Sequence, residues 1–235
     1  MALLKLSVDN GWTNITHLES DADLRPLHSL PEWSLLVEDL RKKVEHMESM
    51  YDKQLQEELL AIYKADQGAR REYSYLKRMN ENGKADSLLK VIHHDDSVSI
   101  KKVTRILDDR GWIGRDLVGE QASEAVFIVI YRADLQTQLK YVSLLTDAVD
   151  HKVARPEHLA FLEDQIAVSS GKEQVYGSVI AYDHETGKNY IPPVKDPDHV
   201  DERREAIGLD TMSDYVRMYG LTWDPKHQSD VKSGK

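Results

Sequence analysis

The sequence predicts a mainly α protein: a helical bundle with an N-terminal α-hairpin cap and one small β-hairpin near residues 174–191. Three observations carry that prediction. From Trp33 to Val168, apolar residues recur at steps of three and four, the spacing that lines one face of a helix. Strand-like alternation is confined to one stretch, with Val175, Gly177, Val179 and Ala181 on one side and Tyr176, Ser178, Ile180 and Tyr182 on the other. Pro31 and Pro156 sit where helices begin, and Gly111, Gly208 and Gly220 where they end.

Taken in order, residues 2–10 form a helix stopped at Gly11 and Trp12, and Thr13 with Asn14 caps a short helix through His17 and Leu18. Leu24, Leu27 and Leu30 point one way before Pro31 opens the next helix. The helical pattern then runs to about Asn80, but its apolar stripe (Leu35, Leu36, Leu40, Val44, Met47) shifts register near Met50 and Tyr51 before resuming at Leu55, Leu59 and Ile62. Two helices are therefore predicted. In the second, Asp66 and Arg70 stand at i and i+4 beside Gln67, the spacing of an ion pair on a solvated face. Residues 80–86 read as a loop. The run His93, His94, Asp95, Asp96, Ser97 has metal-ligating residue types, but adjacent residues project to different sides, and capping of a helix over 98–108 is the simpler expectation.

Residues 122–133 are apolar nearly all round and belong at the centre of the bundle. Asp134 is the natural N-cap of an amphipathic helix carrying Leu135, Leu139, Val142, Leu145 and Val149. Pro156 opens a helix with Leu159, Leu162, Ile166 and Val168; Asp164 flanks its buried face and needs a partner such as Arg or a hydroxyl. Beyond it, residues 163–178 turn from helix to extended chain through Ser169, Ser170 and Gly171, bringing Asp164 close to Gln174 and Tyr176. Gly177 marks a bulge or a close backbone approach, and Asp183 to Lys188 supply the hairpin turn. Asp196 or Asp198 caps a helix with Val200, Arg203, Arg204 and Ile207, and a last helix starts at Asp210 or Thr211. The division expected is a cap over 1–45, a helical domain with the hairpin over 46–223 and a disordered tail over 224–235.

Composition bounds the function. The chain has 235 residues and a formal charge of -10, from 41 acidic against 31 basic residues, which argues against nucleic acid as a partner. With no cysteine, disulfides, thiolate nucleophiles and Cys-ligated metals are excluded. Lys5 and Asp9 interrupt the first apolar run, and no window approaches the length of a spanning helix, so a cytoplasmic protein with no membrane partner is expected. No cofactor or metal is called for.

Two resemblances add to this reading. Gly11-Trp-Thr-Asn14, Leu18-Glu-Ser-Asp-Ala-Asp-Leu24 and Leu30-Pro-Glu-Trp33 resemble the last unit of a tetratricopeptide-type array, which implies stacked helix pairs upstream; an N-terminal helical arm is the alternative. Over about residues 55–220, the ordered series Asp66-Gln-Gly-Ala-Arg70, Gly111-Trp112, Arg132-Ala-Asp134, Leu162-Glu-Asp-Gln165, Gln174-Val-Tyr-Gly177 and Arg203-Arg-Glu-Ala-Ile-Gly-Leu209 resembles an uncharacterised bacterial domain family of unknown function. The family's corresponding segments read Asp-Gln-x-x-Arg, Gly-Trp-Pro, His-Ala-Asp, Asp-Arg, Gln-x-Tyr-Gly-Thr and Arg-x-x-x-Gly-Leu. This chain has Arg132 in place of the His, Gln165 in place of an Arg and Ser178 in place of the Thr. If that His were a general base, the present chain lacks it, because Arg does not release a proton near neutral pH.

Two functions follow. One is a helical interaction or small-molecule-binding module that recognises a protein partner, with the polar residues as buried networks. The other is a hydrolase-like or transferase-like enzyme in which Asp66, Gln67, Arg70, Asp134, Asp164, Gln174 and Tyr176 converge in one cleft between bundle and hairpin. The first is favoured, because no nucleophile–base pair or phosphate-cradling glycine loop is present.

Overall fold

In the computed structural model, which describes residues 1–183 and 185–226, the chain divides into two units between Lys53 and Gln54. The helix from Pro31 contains no further Pro and no Gly and runs past residue 45 to Ser49.

The first unit comprises α1 (Ala2–Asp9), α2 (Ile15–Ser20), a 3₁₀ turn (Ala22–Leu27) and α3 (Pro31–Ser49). Asn14 caps α2, its side chain accepting from the His17 amide at 2.9 Å, and Pro31 occupies the first turn of α3. Val8, Leu18, Trp33, Leu36 and Leu40 form the core of this unit.

The second unit opens with α4 (Lys53–Arg78), after the break expected at Met50 and Tyr51, and continues with α5 (Asn82–Arg110), α6 (Arg115–Val118), α7 (Glu120–Tyr131), α8 (Leu135–Asp150) and α9 (Pro156–Ser169). As its all-round apolar sequence requires, α7 is the central helix, burying Ala122, Ala125, Val126, Phe127, Val129 and Ile130. Against it pack Leu55 and Leu59 of α4, Val103 and Leu107 of α5, Tyr141 and Leu145 of α8 and Leu162 of α9. Asp134 caps α8 by accepting from the Thr137 amide at 2.8 Å.

Three expectations fail here, the first being the loop at 80–86, which is helical from Asn82 on. Residues 93–97 are not a cap: α5 is continuous from Asn82, because nothing between Lys84 and Arg110 is Gly or Pro, and the polar run is one solvent-facing turn with Asp96 half-buried. The β-hairpin is also shorter than the alternation suggests. Only β1 (Ala181–Asp183) and β2 (Lys188–Tyr190) pair, antiparallel, with Tyr182 opposite Asn189; His184, in the predicted turn, lies outside the described residues. Residues 175–180 form no strand, since the amides of Val175, Tyr176, Ser178 and Val179 are taken up by the side chains of Asp164 and Gln174.

The chain then passes a 3₁₀ turn (Pro197–His199), α10 (Val200–Glu205) and α11 (Met212–Arg217), whose Val200, Met212 and Val216 pack with Ile191 and Val194. Neither Asp196 nor Asp198 caps α10; Asp196 takes a left-handed conformation, φ 43°, with its carboxylate on the His199 ring. Thr211 does cap α11. Of the tail expected over 224–235, Asp224 accepts from the Lys226 amide at 2.9 Å, and residues 227–235 lie outside the described residues. Among the described residues no helix is long and apolar enough to cross a membrane.

Candidate functional site

The polar groups singled out in the sequence fall into two networks. The first lines a cleft where α4, α5 and α7 meet. Ile62, Ala65 and Ala69 of α4, Ile92 and Ile100 of α5, and Ile128 and Val129 of α7 make an apolar floor; Asp66, Asp95, Asp96, Ser99 and Arg132 stand above it. Helical spacing explains the set, because Asp96 and Ser99 follow Ile92 at steps of four and three and so share its face. The recess holds about 30 Å³ of solvent-sized space, comparable to one or two waters.

Asp66 is the hub. Its carboxylate accepts from Arg70 Nε at 2.7 Å, from Gln67 Nε2 at 3.0 Å and from Arg132 Nη1, while Arg70 Nη2 reaches both Asp96 oxygens at 2.7 and 2.8 Å. The Asp66 side chain is only 11% exposed, so loss of hydration tends to raise its pKa, but the Arg70 and Arg132 guanidiniums outweigh burial and hold it below the usual range. Asp95 and Ser99, one turn apart on α5, have no hydrogen-bond or ion-pair partner among the described residues.

The second network holds residues 174–179 in place of a strand. Asp164, fully buried on α9, accepts from the amides of Val175 (2.6 Å), Tyr176 (3.1 Å) and Ser178 (2.9 Å) and from the Ser178 hydroxyl (2.8 Å). Gln174, also fully buried, accepts from the Val179 amide at 2.9 Å and donates to the carbonyls of Val179 and Pro192. Three further carbonyls are served from the C-terminal helices: Val175 by Arg203, Tyr176 by Arg204, and Ser178 by the Tyr215 hydroxyl. Arg204, 1% exposed, also stacks its guanidinium over the Tyr215 ring at 4.8 Å. Burial, with Tyr219 beside it, pushes the Tyr215 phenol up, so it stays a proton donor.

With both networks placed, comparison with known families shows that a family of unknown function, DUF6624, matches residues 53–226. The chain belongs to the DUF6624 family. No curated protein and no solved structure matches it.

The seven residues proposed from sequence all lie in the DUF6624 region but not at one site. Asp66, Gln67 and Arg70 belong to the cleft network. Asp134 is spent on capping α8, and Asp164 and Gln174 are saturated by the 174–179 loop. Tyr176 lies in that loop, its phenol pushed up by burial and by the Glu163 and Asp164 carboxylates. Tyr131 and Arg132, adjacent at the end of α7, separate the two networks: Arg132 bonds Asp66, whereas Tyr131 is pushed up by burial and by the charges of Tyr219 and Asp164.

Sequence reasoning missed Asp95, Asp96 and Ser99 as cleft residues, and Ser178, Arg203, Arg204 and Tyr215 as loop anchors. The α5 set had a signal, since Ile92, Asp96, Ser99 and Val103 continue one helical stripe. Arg203, Arg204 and Tyr215 had none, because their targets are backbone carbonyls. Among the described residues, no three His, Asp or Glu side chains converge as metal ligands do.

Proposed function

We propose that the DUF6624 domain is a recognition module whose cleft among α4, α5 and α7 receives a basic side chain from a protein partner. The observation that carries this reading is the charge balance of the cleft. Asp66 is engaged by Arg132 and Asp96 by Arg70, which leaves the Asp95 carboxylate, beside the Ser99 hydroxyl, without a partner among the described residues, above an apolar floor. An alkyl stem lies well on such a floor while its charged head meets the carboxylate. Size argues the same way: enclosed ligand sites are of order 300–1,000 Å³, and a recess of about 30 Å³ suits one protruding group.

The ionisable groups favour binding over catalysis. Asp66 is held in its charged form by two guanidiniums, so it is not poised to exchange a proton near pH 7. The N-terminal helices, with their resemblance to a terminal tetratricopeptide-type unit, suit the same role as a further protein-contact element. Absence of cysteine fits a reducing compartment such as the bacterial cytoplasm.

A short unstructured peptide with one central lysine tests the reading by amide NMR shifts. Shifts are expected around Asp95 and Ser99, and the Asp95→Ala variant should bind about fivefold more weakly, the worth of one partly exposed ion pair. Equal shifts from the norleucine peptide would overturn the basic-group assignment. Turnover of ester or phosphoester model substrates, abolished by Asp66→Asn, would overturn the binding reading itself.

A further inference from the structure

We propose that the outer face of α4 docks a helix of a partner protein in coiled-coil fashion, and that this helix carries acidic residues along the flank it lays beside Lys64, Arg71 and Arg78. The inference does not rest on the cleft, although Ala65 borders both. On its inner face α4 turns Leu55, Leu59, Ile62, Ala69 and Leu76 into its own unit. On the outer face Ala61, Ala65, Gly68, Glu72, Tyr75 and Met79 recur at alternating steps of four and three, the seam spacing of a coiled coil. Gly68 is half-buried and the other five are exposed, Tyr75 by 52% and Met79 by 55%. Met79 directly follows α4, and its amide still donates to the Tyr75 carbonyl at 3.0 Å. Gly68 gives the clearest sign of a partner. Glycine weakens a helix interior relative to alanine, yet nothing stands within 4 Å of where a Cβ would be. No described neighbour requires the glycine, whereas the close approach of a second helix backbone does. Ala61 and Ala65 leave the same approach open, and Tyr75 and Met79 offer apolar area beyond it.

Charge selects the occupant. In the heptad that puts those six residues in the seam, Lys64, Arg71 and Arg78 fall at one flanking position, seven residues apart. All three are exposed, and none makes an ion pair among the described residues. The acids of α4 do not cancel them: Glu57 stands one heptad before Lys64, ahead of the seam, and Glu72 lies within it. On the adjoining stretch of α5, Asp86 and Lys90 are of opposite sign, and Lys84 is held by Glu81. An acidic flank on the partner meets this basic line, and one basic residue in its apolar seam meets Glu72 and fixes the register. A second copy of α4 fits badly in either direction. Antiparallel, its Lys64, Arg71 and Arg78 face their own kind; parallel, they face Ile62, Ala69 and Leu76, which are turned into their own unit. Nucleic acid is disfavoured by the Glu72 carboxylate in the seam and by the chain's charge of -10.

The test uses the full chain and three fluorescein-labelled helical peptides of about three heptads, which share a leucine seam with one central lysine. Their flanks differ, being all glutamate, all glutamine or all lysine. Fluorescence anisotropy should find the glutamate peptide binding about fivefold tighter than the glutamine peptide, and the lysine peptide weakest. Arg71→Glu should remove the advantage of the glutamate peptide. Gly68→Leu, at a position where the fold has room for a side chain and where circular dichroism should stay unchanged, should abolish binding of all three. Equal binding of the three peptides, binding of none, a preference unmoved by Arg71→Glu, or binding unmoved by Gly68→Leu overturns the proposal. So does a single-stranded RNA oligonucleotide that binds more tightly than the glutamate peptide and is lost on Arg71→Glu, because the face then serves nucleic acid. A concentration-dependent dimer in light scattering that Gly68→Leu dissolves also overturns it, because the occupant is then a second copy of this chain.

Discussion

The Asp164 carboxylate is buried, makes no ion pair among the described residues, and is held by three amides and a hydroxyl. Replacement by Asn keeps one acceptor oxygen and turns an NH2 group toward donors that then have nothing to bond. Leaving a buried donor unmet costs about 1–3 kcal/mol, so Asp164→Asn is expected to destabilise by roughly 2–4 kcal/mol, lowering Tm by about 10 °C. A melting temperature within about 2 °C of the parent chain would contradict the structural role. That Asp164 needed a partner was legible from its place two residues after Leu162, and a hydroxyl was among the partners expected. That most of its donors would be amides was not, because every residue but proline carries the same N–H. In the cleft, the Asp66–Arg70 pair was legible for the opposite reason: its spacing is local, whereas Asp96 and Arg132 reach it from other helices.

Among the elements, those with local chemical signals were read correctly from sequence: Asn14, Asp134 and Thr211 cap their helices, and Pro31 and Pro156 open theirs. Errors arose where a pattern has two physical origins. A run of His and Asp serves equally as a cap or as the wet face of a long helix, and only the absence of Gly and Pro up to Arg110 separates the two. Alternation at 175–182 serves a strand or a loop whose side chains turn in and out while its amides bond side chains. Gly177 belongs to that loop, with φ 68° and a space in which a Cβ would stand 2.5 Å from the sulfur of Met212. Gly177→Ala should therefore cost about 2–4 kcal/mol, from left-handed strain and repacking of a fully buried methionine. Combined with Met212→Ala in a double-mutant cycle, the two losses should fall short of additivity by about 1 kcal/mol; strict additivity would show that the close contact is unimportant.

For the whole chain, the family match at 53–226 and the structural division between Lys53 and Gln54 nearly coincide. A fragment spanning residues 53–226 is accordingly expected to fold alone, with helical circular dichroism and a single cooperative thermal transition; a fragment lacking that transition would show that the first 52 residues are needed for folding. The 174–179 loop depends on donors that come later in the chain, Arg203, Arg204 and Tyr215, and those donors bind its carbonyls and not its side chains. During synthesis from the N-terminus, α4 to α9 are complete and Asp164 is ready while the carbonyls of Val175, Tyr176 and Ser178 still have only water to bond. The bundle thus precedes its own lock, and about forty residues must leave the ribosome before that lock can close.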